Sequence, residues 1–256
     1  MKKCYIIQPG RIGDIIIVLP IAKYYADKGY DIYWFVYEDY LQMFEYVDYV
    51  KPIPLYCGEQ IKCEKNINYV INDVCSCAQG VYHKMKYRMK LSPNDIVLDL
   101  SIGFSESKVN KEWMDSGFSF DEWKYKKVNV PFVEKYNLKI NRKFEREKTL
   151  AVRVGIKLNS SYLVTHSVGS IETFCFDTVI EKYQNKKLRF VEIKKIKGFT
   201  VFDWIGIIEQ AQWLYCVDSC VANLVNQLGI CKNRRAFKPL HSGILNPKMN
   251  NDWIVI

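Results

Sequence analysis

Three short stretches of this chain combine residue types that can do chemistry. The first is Arg11-Ile12-Gly13-Asp14, lying between the apolar run Tyr5-Ile6-Ile7 and a longer apolar stretch. Gly13 lets backbone come close to a ligand, and the Asp14 carboxylate could accept a proton from a hydroxyl nucleophile. An aspartate there also suits a helix N-cap, and in isolation that plainer reading comes first. The second is His166-Ser167-Val168-Gly169-Ser170, a small polar loop. Its N–H groups and hydroxyls could hold phosphate at a helix N-terminus, although an ordinary strand-to-helix turn has the same composition. The third is Val217-Asp218-Ser219, followed directly by the helical pattern Cys220-Val221-Ala222-Asn223 through Gly229. A pyrophosphate fits such a helix start, and so does simple capping by Asp218 or Ser219. The Walker pattern and the G-x-G-x-x-G dinucleotide pattern are both absent, which argues against P-loop and NAD-binding readings.

The elements that must position these residues follow α/β grammar. Tyr5 to Ile7 reads as a strand, Asp14 to Asp27 as a helix with Asp14 at or near its N-cap, and Gly29 as its stop. Asp31 to Val36 is the next strand, so the first unit is β-loop-α-β with a parallel sheet. Val47 to Leu55, Tyr69 to Asn72, Ile96 to Leu100 and Lys127 to Val130 are further strand candidates. Residues 134–157 read as an irregular charged crossover. The grammar then repeats, with strands at Ser161–Thr165, Leu188–Ile193 and Trp213–Val217, and helices at Thr173–Tyr183, Phe202–Gln210 and Val221–Leu228. The expected architecture is α/β, with two Rossmann-like domains whose parallel sheets face a central cleft. The expected division is 1–148 and 149–256.

Composition bounds the rest. The chain has 256 residues, 49% apolar and 14% aromatic, which excludes most disordered classes. It carries 37 Lys+Arg against 28 Asp+Glu, a formal charge of +9. The excess lies mainly in the second half, in Lys182, Lys186, Lys187, Arg189, Lys194, Lys195 and Lys197, opposed only by Glu192. Lys232, Arg234, Arg235 and Lys238 form a second group. Such runs are either solvated faces or sites for a polyanion. In the first half, Lys84, Lys86 and Arg88 alternate with apolar residues and, with Arg11, are candidates for acceptor or polyanion contacts. Nine cysteines are dispersed, which points to free thiols rather than a disulfide framework. Cys57, Cys63, Cys75 and Cys77 cluster as C-x5-C-x11-C-x-C, which lacks the paired knuckles of common zinc sites, so no metal is expected. No run of some 18 apolar residues indicates a membrane span, and the N-terminal apolar run is too short for a signal peptide. These features together point to a cytoplasmic protein.

Taken together, the three motifs resemble glycosyltransferase family 9, the heptosyltransferase-like enzymes with the two-domain GT-B fold. That family carries R-x-x-G-D after its first strand and a proline on the following helix, as in Arg11 to Asp14 and Pro20 here. Its second domain opens with a strand and a small-residue loop, as in Leu163 to Ser170. Near its end it has a strand and then D-[ST]-G-x-x-H-L-x-x-x-L-G, which Asp218-Ser219-Cys220-Val221-Ala222-Asn223-Leu224 and Leu228-Gly229 resemble. Cys220 stands for the family's glycine and Asn223 for its histidine. Glu172-Thr173-Phe174 stands where a lysine and a Trp-Pro pair are usual. Arg234, Arg235 or Arg153 are then candidates for the missing cation.

The resemblance implies an enzyme that moves a sugar from a nucleotide-sugar to an acceptor hydroxyl, with inversion and without a metal or other cofactor. Asp14 would be the general base. Gly13, His166, Ser167, Gly169, Ser170, Asp218, Ser219 and Asn223 would bind the donor. The first domain would bind the acceptor. Two acceptors fit: lipopolysaccharide or another anionic glycan, and a hydroxymethylated pyrimidine in double-stranded phage DNA, towards which the charge and the trimmed chain lean. A reading from another class is a non-catalytic nucleic-acid-binding α/β protein, which would need the basic faces but not Asp14.

Overall fold

Near-continuous apolar strands dictate a sheet covered on both faces, and the chain forms two of them. The computed structural model describes residues 2–56, 60–62, 68–70, 91–100, 108–157, 159–169, 172–178, 181, 188–232, 234–241 and 243–256. The chain divides into two compact units, Met1–Lys139 and Ile140–Ile256.

The first unit is built on β1 (Lys2–Ile7), β2 (Tyr30–Tyr37), β3 (Val50–Leu55) and β6 (Ile96–Asp99), all parallel, in the order β3-β2-β1-β6. Two short strands, β4 (Gln60–Lys62) and β5 (Asn68–Val70), form a separate antiparallel pair. Cys4 to Ile7 in the central strand β1 are fully buried. Pro52 and Pro54 fall on β3, an edge strand, where a missing N–H costs no ladder bond on the open side. Helix α1 (Ile12–Asp27) buries every residue from Ile15 to Ala22, so it is apolar nearly all round rather than striped. Helices α2 (Lys108–Ser116) and α3 (Phe120–Lys127) follow β6. The Tyr125 hydroxyl of α3 donates to the Ile17 carbonyl at 2.8 Å, tying α3 to α1 one turn before Pro20.

The second unit contains β7 (Tyr162–His166), β8 (Arg189–Glu192), β9 (Trp213–Val217), β10 (Arg235–Lys238) and β11 (Ile254–Val255). They form one parallel sheet in the order β11-β10-β9-β7-β8. Successive side chains point to opposite faces. Tyr162 and Val164 join one core with Leu150, Ile207, Leu214 and Trp253, and Leu163 joins the other with Phe176, Tyr215 and Val217. Helices α4 (Phe144–Arg153), α5 (Ile205–Gln210) and α6 (Cys220–Leu228) complete the unit. Gly229 closes α6 at φ 63°, a left-handed C-cap that glycine adopts without strain.

Several expectations change. Lys127 to Val130 is not a strand: it is the end of α3 and the turn after it, with Val128 as C-cap. A capping box between Ser119 and Glu122 starts α3, a signal that outweighs the weak strand pattern at its end. Residues 134–157 contain α4, fastened by Arg142 to Glu147 and by Arg146 to Asp203. A division at 148/149 therefore falls inside a helix. Thr173 bridges to Val168 in extended conformation, and of the helix expected from there, the described residues 177, 178 and 181 are helical. Asp14 lies near the N-cap of α1, in its first turn, and not at the cap itself. Arg11 is the N-cap, with no side-chain cap bond, and Asp14 is the third helical residue.

Candidate functional site

In an open parallel sheet, ligands gather at the carboxyl ends of the strands, where the strand order reverses. Each unit has one such point. In the first it lies at β1, flanked by β2 and β6; in the second at β7, flanked by β8 and β9. The candidate motifs fall on both.

At the first switch point the chain leaves β1 through Gln8-Pro9-Gly10 and enters α1 at Arg11. Arg11 has φ 63° and ψ 116°, a region that residues with a Cβ rarely adopt. Trp34 Nε1 donates to the Gln8 carbonyl at 2.8 Å, which pins the loop to β2. A Cβ on Gly10 would press on the Tyr37 ring at 3.0 Å, so the loop passes close to that side chain. Asp14 then faces Lys124, with Nζ 3.2 Å from Oδ1; the Asp14 side chain is 19% exposed and that of Lys124 fully buried. The same ammonium donates to Gln8 Oε1 at 2.7 Å and to the Leu100 carbonyl at 2.6 Å. The ammonium thus donates two hydrogen bonds, at the ends of β1 and β6, and finds its counter-charge on α1, which is what a buried lysine requires. Asp14 Oδ2 makes no hydrogen bond among the described residues.

At the second switch point β7 ends in His166, whose Nδ1 lies 2.9 Å from Ser219 Oγ at the end of β9. Ser219 is the N-cap of α6, its Oγ accepting from the Ala222 amide at 3.5 Å. Asn223, one turn on, donates from Nδ2 to the Ser219 carbonyl at 3.1 Å and is 3% exposed. Its Oδ1 is buried and finds no hydrogen-bond partner among the described residues. Burial holds the His166 imidazole down to about 4, against a smaller upward pull from Glu192, so the ring is neutral near pH 7. Glu192, at the end of β8, accepts from the Ser167 amide at 2.9 Å and hydroxyl at 2.5 Å, and also from the Thr165 hydroxyl. Gly169 closes the loop under its own constraint. A Cβ there would overlap Leu240 and stand 3.2 Å from the Glu172 carbonyl and 3.3 Å from that of Asp218.

The structure therefore brings His166, Ser167, Gly169, Asp218, Ser219 and Asn223 together at one sheet edge, and Arg11, Gly13 and Asp14 at another. Ser170, Lys84, Lys86, Arg88 and the Cys57, Cys63, Cys75 and Cys77 cluster lie outside the described residues. Arg235 is not available as a replacement cation: it is fully buried at the amino end of β10, bound to Val225 and Ile230 carbonyls and to Asp252. Arg234 precedes it and donates to the Ala211 carbonyl at 3.1 Å, again at the amino ends. Arg153 donates to the Lys197 carbonyl at 3.4 Å. Lys238 is the cation at the carboxyl end of β10, where its carbonyl accepts from the Asp218 amide at 3.0 Å.

Four residues escaped the sequence reading. Glu192 had a signal, as the lone acid in a basic stretch at a strand end. Lys238 had one too, as the last member of the basic group that starts at Lys232. Lys124 and Gln8 had none, because their role depends on a contact 116 residues apart in sequence. Of the described cysteines, Cys4, Cys216 and Cys231 are buried, and burial pushes the Cys220 thiol up to about 11. Among the described residues, no group of three His, Cys, Asp or Glu side chains is placed to hold a metal, and no helix is long and apolar enough to cross a membrane.

Two parallel α/β sheets, each with its polar residues at a switch point, define the GT-B class of fold. Solved structures with this arrangement include glycosyltransferases of family 9. The family 9 glycosyl transferase of Veillonella parvula matches with TM-score 0.62 and 12% identity, covering 100% of this chain and 86% of that one. The Escherichia coli heptosyltransferase WaaC bound to ADP-2-deoxy-2-fluoro heptose matches with TM-score 0.52 and 10% identity, over 100% of this chain and 93% of that one. The E. coli ADP-heptose lipopolysaccharide heptosyltransferase II matches with TM-score 0.56 and 8% identity, over 99% and 90% respectively. At these identities the likeness establishes the fold. No protein-family model and no curated protein sequence matches the chain.

Proposed function

We propose that this protein is a glycosyltransferase that moves a sugar from a nucleotide-sugar to an acceptor hydroxyl, with Asp14 as general base. One observation carries the reading: a half-buried carboxylate, with one oxygen anchored and the other open, sits at the switch point of the first sheet in a GT-B fold. In the proposed step the acceptor O–H proton passes to Asp14 Oδ2. The acceptor oxygen forms its bond to the anomeric carbon as the bond from that carbon to the diphosphate breaks. The electron pair leaves with the diphosphate, and the anomeric centre inverts. The step draws on no metal or other cofactor.

The second unit supports the donor side of this reading. The start of α6, the Ser167 to Gly169 loop and the Lys238 ammonium offer a partial positive charge, hydroxyls and a full charge where a diphosphate would develop negative charge. His166 is neutral there, so it serves as a hydrogen-bonding group rather than a cation. For the acceptor, a structural neighbour named for lipopolysaccharide supports an anionic glycan or glycolipid ahead of a hydroxymethylated pyrimidine in DNA.

The test is release of nucleoside diphosphate from a panel of ADP-, UDP- and GDP-sugars. Two acceptors are offered separately: lipopolysaccharide inner core, and duplex DNA carrying hydroxymethylated pyrimidines. Release stimulated by the glycan is expected. Stimulation by the duplex alone would move the acceptor to DNA, and no release with either would overturn the enzyme reading.

A further inference from the structure

We propose that Lys124 is a positioning residue for the transfer reaction, holding Asp14 so that one carboxylate oxygen is committed to the protein and the other faces the acceptor. The proposal rests on the reading of Asp14 as base and deepens it. Its ground is the geometry of the ammonium. Lys124 comes from α3, a helix outside all three motifs, and reaches the switch point with no exposed surface. A lysine fully removed from water is costly unless its charge and its protons are all met. Here Gln8 Oε1 at 2.7 Å and the Leu100 carbonyl at 2.6 Å accept hydrogen bonds, and Asp14 Oδ1 at 3.2 Å supplies the opposite charge. The first two acceptors end β1 and β6, adjacent strands of one sheet, so the ammonium is fixed by the most rigid part of the unit. Gln8 is itself held: it is 4% exposed, and its Nε2 donates to the Gly10 carbonyl at 3.1 Å.

The third contact then falls on a carboxylate at the third residue of a helix whose N-cap, Arg11, gives it no side-chain hydrogen bond. Lys124 does for Asp14 what a cap would otherwise do. It fixes the rotamer of a short side chain that would be free to turn at the helix surface. The cost of losing such an anchor is mispositioning, and a displacement of about 1 Å at a reacting group can lower rate by roughly 100-fold.

The experiment compares Lys124→Met, Asp14→Asn and the double variant with the wild type, using the donor and acceptor pair identified above and ADP as binding probe. Lys124→Met is expected to lower kcat roughly 100-fold, with the Kd for ADP unchanged within about twofold and KM for the donor little moved. In the Asp14→Asn background the same change is expected to have no further effect on kcat, because the group it positions is gone. Lys124→Gln keeps a donor for the Leu100 carbonyl without the charge, and covers the case in which the methionine variant does not fold. A folded Lys124→Met or Lys124→Gln protein with wild-type kcat would overturn the proposal alone. So would a loss in kcat of equal size with and without Asp14. A wild type that turns over no donor would instead overturn the glycosyltransferase reading, and the proposal with it.

Discussion

The two switch points solve opposite electrostatic problems. In the first unit a full positive and a full negative charge meet under cover, Lys124 against Asp14, and the helix that follows begins without a side-chain cap. In the second, the neutral groups His166, Ser219 and Asn223 stand beside two carboxylates, Asp218 and Glu192, and one ammonium, Lys238, and the helix that follows is capped. A base that must take a proton has to be an anion with an open oxygen. A site for a departing diphosphate has to offer positive potential and hydrogen-bond donors, and a fixed anion in its midst would oppose that. Glu192 fits the contrast: its carboxylate oxygens are occupied by the Ser167 amide and hydroxyl and by the Thr165 hydroxyl.

The sharpest way to break this comparison is to remove the anion. Asp14→Asn is expected to lower kcat roughly 100- to 10,000-fold, the range a positioned acid or base contributes. Calorimetry should show ADP binding unchanged, because the substitution lies in the other unit. Loss of ADP affinity together with activity would mean that Asp14 does not belong to the acceptor half of the reaction.

Next in size is the second unit. His166 ordinarily titrates near 6.5 in an unfolded chain, and burial lowers it to about 4 in the fold. Between those values the unfolded state binds the proton and the folded state does not. Its contribution is therefore whole above about pH 6.5 and is lost as pH falls towards 4. The full loss is about 3 kcal/mol. His166→Asn should flatten that part of the acid limb when thermal or urea unfolding is followed from pH 7 to pH 4. An unchanged slope would mean that the ring is solvated rather than held neutral by burial.

The first two links of this chain, residues to elements and elements to sheets, were largely readable in sequence because they rest on local patterns. The run Tyr5 to Ile7 and the helix to Asp27 carry their own periodicity, and Gly29 and Gly229 mark the stops. The placement of candidate groups was readable where it sits beside such a pattern, as with Asp14 and Ser219 at the switch points. It was not readable where it depends on distance. Helix α3 carries Asp121 and Lys124 inward, each fully buried and each paired, Asp121 with Lys135 at 2.6 Å. Charges on a short helix ordinarily mark a solvated face, and the sequence pattern led to no expected helix over Phe120 to Lys127 and to a strand expected from Lys127. Only the third dimension shows that the charges are spent on partners inside.

Smaller again is the effect expected at the proposed donor loop, residues 166–169. A Cβ on Gly169 would displace the end of the Leu240 side chain and press at 3.2 Å and 3.3 Å on two backbone carbonyls, which cannot turn away. Gly169→Ala is expected to cost about 1 to 3 kcal/mol, the range for forcing a methyl into a packed site. Donor KM should rise with it, because the 166–169 loop must shift. The corresponding change at Gly10 meets the edges of Tyr37 and Tyr40, side chains that can turn, and should cost less. Chemical denaturation of both variants orders them.

The smallest effect separates the two helix starts. Ser219→Ala removes the side-chain cap of α6 and should cost about 1 kcal/mol, together with the 2.9 Å contact to His166. Arg11→Ala removes no cap bond from α1, and alanine is no easier than arginine to hold at φ 63°, so the cap itself contributes nothing to the change. Ser219→Thr keeps a capping oxygen and should restore most of the loss. Should the alanine variant be as stable as the threonine variant, the long 3.5 Å approach of the Ala222 amide is not a working cap. The order at the second switch point would then come from its other contacts, those of Glu192 with Ser167 and Thr165 and of Asn223 with the residue 219 carbonyl. Urea midpoints of the three variants, at constant slope, decide it.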